Sequence, residues 1–322
     1  MKIAQLRTGE TGWQAPPAQT MHTTGRVKSF ESHRSVAFIG WLPLVVLPSV
    51  AAVSYRHSQP WVFMWTLAIS IYLGLKWVTW WTAQKPIAHS AWRSAAYLLA
   101  WPGMDAKSFL DKTNRPPMPR FRDWFWAISE TALGMIFLWF AARLFPQEQP
   151  LLRGWTGMLG LILLLHFGSF HIAALLWQCL GVGASPIMSA PLRSRSLSEF
   201  WGKRWNLGFR QLAHDLVFVP AHKYLQVGSA TILVFLISGL LHDLVISAPA
   251  GAGYGLPTAY FLLQGVGVLL ERSPYGKQFG LGQGIRGRLY MVMVVAGPVF
   301  WLFHPPFVKR VIIPFMQAIH AL

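Results

Sequence analysis

The stretch FLISGLLHDLVI, residues 235–246, is apolar enough to enter a bilayer, yet it carries His242 and Asp243 side by side. On a helical wheel of about 100° per residue, Thr231, Ser238 and His242 fall within about 40° of one another. Gly239 lies beside them and leaves room for a neighbouring backbone to approach closely. Such a polar stripe is expected to face the interior of a helix bundle, because facing lipid costs several kcal/mol. Asp243 points about 100° away from His242, so these neighbours do not form a simple His–Asp dyad. Asp243 is expected to bond to another helix or to the adjoining loop, as support rather than chemistry. His242 itself has two readings. It is either a core histidine satisfied by a neighbouring helix or a general base, a neutral imidazole that accepts a proton near neutral pH.

A second candidate lies upstream, in SLSEFWGKRWNLGFRQLAHDLVFVPAHKY, residues 196–224. Ser196 and Glu199 have capping-box spacing and predict a helix start. On one continuous helix, Trp201, Trp205, Phe209, Leu212 and Leu216 share an apolar face, with Lys203, Arg210 and His214 opposite. This reads as an amphipathic helix in the headgroup layer. Asn206 sits on the border between the faces, where attraction to lipid charge does not explain it.

Other chemistry-bearing residues are weaker candidates. Lys76 and Glu130 fall within apolar runs, either as pathway residues or as paired or snorkelling groups. His166 and His171 are five apart, a spacing that does not place two metal ligands on one α-helical face; no metal site is expected. Gly282, Gly284 and Gly287 mimic a dinucleotide fingerprint, but an apolar span rather than a strand precedes them. Walker A, HExxH, GxSxG and CxxC motifs are absent from the sequence.

The elements that must position these residues are membrane spans. The chain has 322 residues, 53% hydrophobic and only 12% charged, with 17 tryptophans, whereas soluble domains carry about 25% charged residues. The net charge of +17 is read as basic loops retained in the cytoplasm rather than as a nucleic-acid surface. The single cysteine, Cys179, excludes an internal disulfide and reads as a small hydrophobe. The N-terminal segment, residues 1–37, lacks the apolar core of a secretory signal and reads as a polar cytoplasmic tail.

Seven apolar runs are candidate spans: about 38–55, 61–81, 124–145, 157–180, 228–246, 256–271 and 289–304. The expected fold is an all-α, polytopic membrane helix bundle of about seven or eight spans plus amphipathic or re-entrant helices, forming a single domain over residues 38–322. Lys and Arg numbers before, between and after the runs alternate: five, one, seven, one, six, none, four and two. That alternation places the N-terminus in the cytoplasm, with 82–123 and 181–227 as long cytoplasmic segments. The piece 87–101 reads as interfacial or re-entrant, and the C-terminal PPFVKRVIIPFMQAIHAL as lying on the surface or dipping in.

FWGKRWN (200–206) followed by SGLLHDL (238–244) resembles the wax-synthase-like branch of the membrane-bound O-acyltransferases, and WPGMD (101–105) is similar to a motif of its bacterial members. The resemblance implies a multi-pass enzyme, in a bacterial inner membrane, that transfers an acyl group from a thioester, usually acyl-CoA, to a hydroxyl. The acceptor would be a hydrophobic alcohol or a lipid, and acyl-CoA would be a co-substrate rather than a resident cofactor. His242 matches the family's catalytic histidine and Asn206 its polar partner, with Ser238, Gly239, Asp243 and Trp205 in support. From charge alone, Lys203 and Arg204 are candidates for a CoA phosphate. Transfer to a glycan or secondary-metabolite hydroxyl is a second reading, and a membrane transporter is the non-enzyme rival. The motifs also pose a geometric problem: Asn206 belongs to a cytoplasmic segment, and His242 lies far along an outward span. A buried tunnel, which the resemblance implies, would reconcile them.

Overall fold

The computed structural model describes residues 26–83 and 90–322, with side chains from residue 39 onward. The first 25 residues of the expected 1–37 tail, and 84–89 in the first long segment, lie outside the described residues. Residues 1–39 separate from residues 40–322 as a distinct unit. Among the described residues all regular structure is helical, as expected for a membrane helix bundle.

α1 (Arg26–Tyr55) leads through a short turn into α2 (Pro60–Ala83). Pro60 occupies the first helical position, where its missing N–H costs nothing. α3 (Ala91–Ala100) and α4 (Ala106–Leu110) are short. α3 buries Arg93 and Tyr97 and leaves Trp92 and Leu99 exposed, which suits a helix lying along an interface. The Asp105 carboxylate caps α4 by accepting the Ser108 N–H at 3.0 Å.

α5 (Phe121–Trp139), α6 (Pro150–Ile162) and α7 (Phe170–Cys179) follow. α6 and α7 form one rod through a π-helical stretch, Leu163–Ser169. Small residues let the rod approach α5: a Cβ added at Gly160 would sit 2.7 Å from the Leu138 nitrogen.

α8 (Leu197–Glu199), α9 (Leu207–Ala213) and α10 (Val219–His222) are short. They replace the continuous amphipathic helix expected over 196–216. α11 (Val227–His242) and α12 (Ala248–Ala250) join through another π turn, Asp243–Ser247. α13 (Leu256–Arg272), α14 (Pro274–Gln278), α15 (Gly284–Ala296) and α16 (Val299–Leu302) come next, then α17 (Pro305–Phe307) and α18 (Ile313–Ala318).

Five described helices are long and apolar enough to cross a membrane: Pro60–Ala83, Phe121–Leu144, Pro150–Cys179, Val227–Ala250 and Gly284–Leu302. These cover five of the seven expected runs. The remaining two are shorter: Ile39–Tyr55 is an apolar stretch within α1, and α13 has 17 residues. The C-terminal segment is part of the core. Val308, Val311, Ile312 and Met316 are buried, and an added Cβ at Gly154 or Gly157 of α6 would strike Val308 or Met316. Their spacing of three and four residues puts these apolar side chains on one face.

Candidate active site

His242 ends α11 and is half-buried. Its Nδ1 lies 2.7 Å from the Ser238 carbonyl oxygen. A carbonyl only accepts, so Nδ1 carries the proton and the Nε2 lone pair is left free. Among the described residues, no hydrogen bond engages Nε2. The expected polar stripe thus works differently in detail. Ser238 serves His242 through its backbone, while its hydroxyl bonds back to the Val234 carbonyl at 2.8 Å. Thr231 does likewise to Val227.

Gly239 is where α13 comes close: a Cβ there would lie 2.7 Å from the Thr258 Cα. Asp243 leaves the His242 direction and holds the start of α13. Its carboxylate accepts the Gly255 N–H at 2.9 Å, the Thr258 N–H at 3.1 Å and the Thr258 hydroxyl. Ser247 adds a bond at 2.8 Å, and its oxygen also lies 3.3 Å from Nε2 of the buried His304. Negative charge at a helix start also complements the peptide dipoles there.

The 196–218 segment does not lie flat as one helix, which corrects the wheel built on it. The Ser196 hydroxyl accepts the Glu199 N–H at 3.0 Å, as the capping-box spacing predicts. A π turn, Phe200–Arg204, follows. Trp205 is then extended and Asn206 left-handed, with φ 41°. Asparagine tolerates that conformation better than most residues. Its Oδ1 caps α9 by accepting the Phe209 N–H at 3.2 Å. A continuous wheel fails here because each π turn inserts a residue and the left-handed Asn206 interrupts the helix.

This broken segment enters the bundle. Leu197 and Phe200 are buried in the same core as Phe235 and Phe261, with Trp201 and Trp205 packed against it. The Trp205 ring stacks on Phe200, with centroids 5.4 Å apart and planes 17° apart. The geometric problem posed by the two motifs is thereby reduced: the FWGKRWN segment and the His242 span share one buried core.

Asn206 and His242 make no hydrogen bond to each other among the described residues. Their elements are linked through aromatic rings instead. Phe261 of α13 lies 4.3 Å from the His242 ring and 5.9 Å from Trp201. The Trp201 indole N–H donates to Gln264 Oε1 at 3.2 Å. Further along α13, the buried Glu271 accepts the Leu197 N–H at 2.6 Å and the Ser198 N–H at 3.3 Å. Those are orphan donors at the start of α8. α13 is therefore the scaffold for both motifs, a role the sequence reading missed. Phe261, Gln264, Val268 and Glu271 recur at three- and four-residue intervals, and that mixed stripe was the signal available.

The two candidate cations differ. Arg204 pairs with Glu199 at 2.6 Å and donates to the Ser189 carbonyl at 3.2 Å. The Arg195 N–H and the Arg204 guanidinium hold the Glu199 carboxyl below its ordinary range. Lys203 is exposed. Elsewhere, His166 lies in the Leu163–Ser169 π stretch, so the α-helical wheel used to separate it from His171 does not apply there. Its ring meets Phe170 edge-on at 5.5 Å.

A model of the membrane bound O-acyl transferase family matches residues 184–263, which include Asn206, His242 and Phe261. Probable long-chain-alcohol O-fatty-acyltransferase 3 of Arabidopsis thaliana is 29% identical over 171 residues, 44% of this chain and 49% of that protein. The long-chain-alcohol O-fatty-acyltransferase of Simmondsia chinensis is 28% identical over 145 residues, 41% of this chain and 40% of that protein. The chain spans about half the length of the curated relatives it matches, or less. At modest identity, then, the chain is similar to the wax-synthase-like branch of the membrane-bound O-acyltransferase family, and the family match lies on the segment that carries both motifs.

Proposed function

We propose that this chain is a membrane-embedded O-acyltransferase that moves an acyl group from acyl-CoA to the hydroxyl of a long, hydrophobic alcohol. The observation that carries this reading is the His242 ring: its Nδ1 is committed to the Ser238 carbonyl at 2.7 Å. Nε2 is then the atom able to take a proton. An alcohol becomes a competent nucleophile as its proton moves to such a base. The alcohol oxygen forms the bond to the thioester carbonyl carbon, the carbon–sulfur bond breaks, and the His242 Nε2 proton passes to the departing thiolate. The products are an ester and free CoA thiol. No cofactor beyond the co-substrate enters the step.

The Asn206 side-chain amide N–H groups, which make no hydrogen bond among the described residues, are the donors for the carbonyl oxygen as charge gathers on it. Lys203 serves the CoA phosphates; Arg204, tied to Glu199, supports the turn beside it. The fatty-alcohol acceptor is supported by the names of the relatives. The basic loops support a cytoplasmic N-terminus and so a cytoplasmic entry for the thioester, and the resemblance of WPGMD to a motif of bacterial members supports a bacterial inner membrane.

The test is direct. Membranes containing the protein are incubated with radiolabelled palmitoyl-CoA and a panel of hexadecanol, diacylglycerol and sugar acceptors. Wax ester from hexadecanol, lost in His242→Ala, is expected. Ester on the sugar alone would move the acceptor to the glycan class. No ester above the His242→Ala background on any acceptor would overturn the enzyme reading.

A further inference from the structure

Lys76 is 1% exposed within the span Pro60–Ala83, and among the described residues no carboxylate lies within ion-pair distance of it. A buried ammonium without a counter-ion is costly, and intramembrane cations are retained where they do something specific. Lys76 Nζ donates to the Gly103 carbonyl and sits 3.4 Å from the centroid of the Tyr97 ring, so a carbonyl dipole and a ring face replace the counter-ion. Two further side chains hold the same turn. Tyr72 donates to the Trp101 carbonyl at 3.1 Å, and the Trp177 indole to the Ala100 carbonyl at 3.1 Å.

What this turn touches gives the tether its meaning. Met104, Phe209 and Leu241 all pack against one buried cluster that includes Leu67, Ile71, Leu75 and Leu212. A Cβ added at Gly208 would lie 3.2 Å from the Met104 nitrogen. Gly208 and Phe209 are the second and third residues after Asn206, and Leu241 precedes His242. The 101–105 turn therefore packs on the residues that follow Asn206 and shares a buried cluster with the residue before His242.

We propose that Lys76 is a positioning residue: its side-chain nitrogen fixes the 101–105 turn against α9 and α11 and thereby sets Asn206 and His242 relative to each other. The kinetic consequence rests on the acyl-transfer reading above; the structural consequence does not.

The experiment uses the full chain in membranes, in a Cys179→Ser background because Cys179 is exposed. With Met104→Cys as a reporter, Lys76→Met is expected to raise the alkylation rate of that cysteine about tenfold by loosening the turn. Without the reporter, Lys76→Met is expected to lower kcat about 100-fold while KM for palmitoyl-CoA and hexadecanol stays within about twofold, the pattern of misplaced catalytic groups. Lys76→Arg, which keeps a long side-chain donor, is expected to recover part of both. Wild-type alkylation and wild-type kcat in Lys76→Met would overturn the proposal, as would a rise in KM at constant kcat. If the parent protein makes no ester, the acyl-transfer reading fails, and the alkylation rates still decide the tether. If Lys76→Met does not accumulate, Tyr72→Phe, which removes one bond to the same turn, decides. Faster alkylation supports the tether, and an unchanged rate overturns it.

Discussion

The Phe261 ring stands 4.3 Å from the His242 ring, tilted by 39°, and meets the Trp201 ring at 5.9 Å. One side chain outside both motifs therefore couples the imidazole to the FWGKRWN segment. Phe261→Leu keeps an apolar side chain in the core but removes the flat wall beside the imidazole. Ester formation should fall about tenfold or more from lost orientation, with thermal stability in detergent lowered by only about 1–2 kcal/mol. Initial rates and a melting curve on the same preparation check this; an unchanged rate would remove Phe261 from the site.

Two adjacent residues in the stripe should respond oppositely. Ser238→Ala deletes a hydroxyl that only bonds its own helix at Val234, while the carbonyl that holds His242 remains. Activity and stability should be near those of the parent. Gly239→Ala puts a Cβ 2.7 Å from the Thr258 Cα, backbone that cannot swing aside. Stability should drop by about 1–3 kcal/mol as α11 and α13 separate, and activity with it. Thermal shift and rate measured for both variants settle the contrast.

Asn206 combines a backbone role with a proposed chemical one, and three substitutions separate them. Asn206→Gly keeps the left-handed turn. Asn206→Asp keeps the cap on Phe209 and loses the amide donor. Asn206→Ala loses the cap and strains the turn. If the amide stabilises the oxyanion, the Gly and Asp variants should retain the parent's protease pattern while kcat falls about 100-fold or more. The Ala variant should be cleaved faster as well as being slow. An active Asp variant would confine Asn206 to shaping the turn.

Glu199 gives the motif segment a pH dependence of known sign. The Arg195 N–H and the Arg204 guanidinium depress its pKa in the folded protein from the ordinary 4.5. Its contribution to stability is fully present above about pH 4.5 and is lost as pH falls through the depressed folded-state value. Proteolysis of the 189–204 region should accelerate on acidification below that point. Glu199→Gln should be cleaved faster near neutral pH and show a flatter acid response.

The parts of the site visible in the sequence are those governed by local spacing. The position of His242 on an interior stripe, the divergence of Asp243, the close approach at Gly239 and the cap at Ser196 all follow from short-range geometry. Three features were hidden. The break at Asn206 was missed because alternating aromatic and basic residues read equally well as a continuous helix, and one residue's φ carries no periodic signal. α13 looked like an ordinary span because Gln264 and Glu271, seven apart, are isolated polar residues until the chain folds the 197–205 segment against them. The C-terminal segment looked superficial because its partners, Gly154 and Gly157, contribute no side chain to any hydrophobic pattern.

Five π turns punctuate the described helices: Leu163–Ser169, Phe200–Arg204, His214–Phe218, Asp243–Ser247 and Val308–Ile312. Each holds about one residue more than α geometry would, so every side chain beyond it is rephased by about 100°. The constrained quantity in these segments is therefore length as much as composition. Removing Val245 would leave His242 and its Ser238 tether untouched, yet would turn Ser247 away from the Asp243 carboxylate. Hydropathy is blind to that difference. In this chain the residue count between neighbouring helices acts as a second code, one that sets rotation rather than burial.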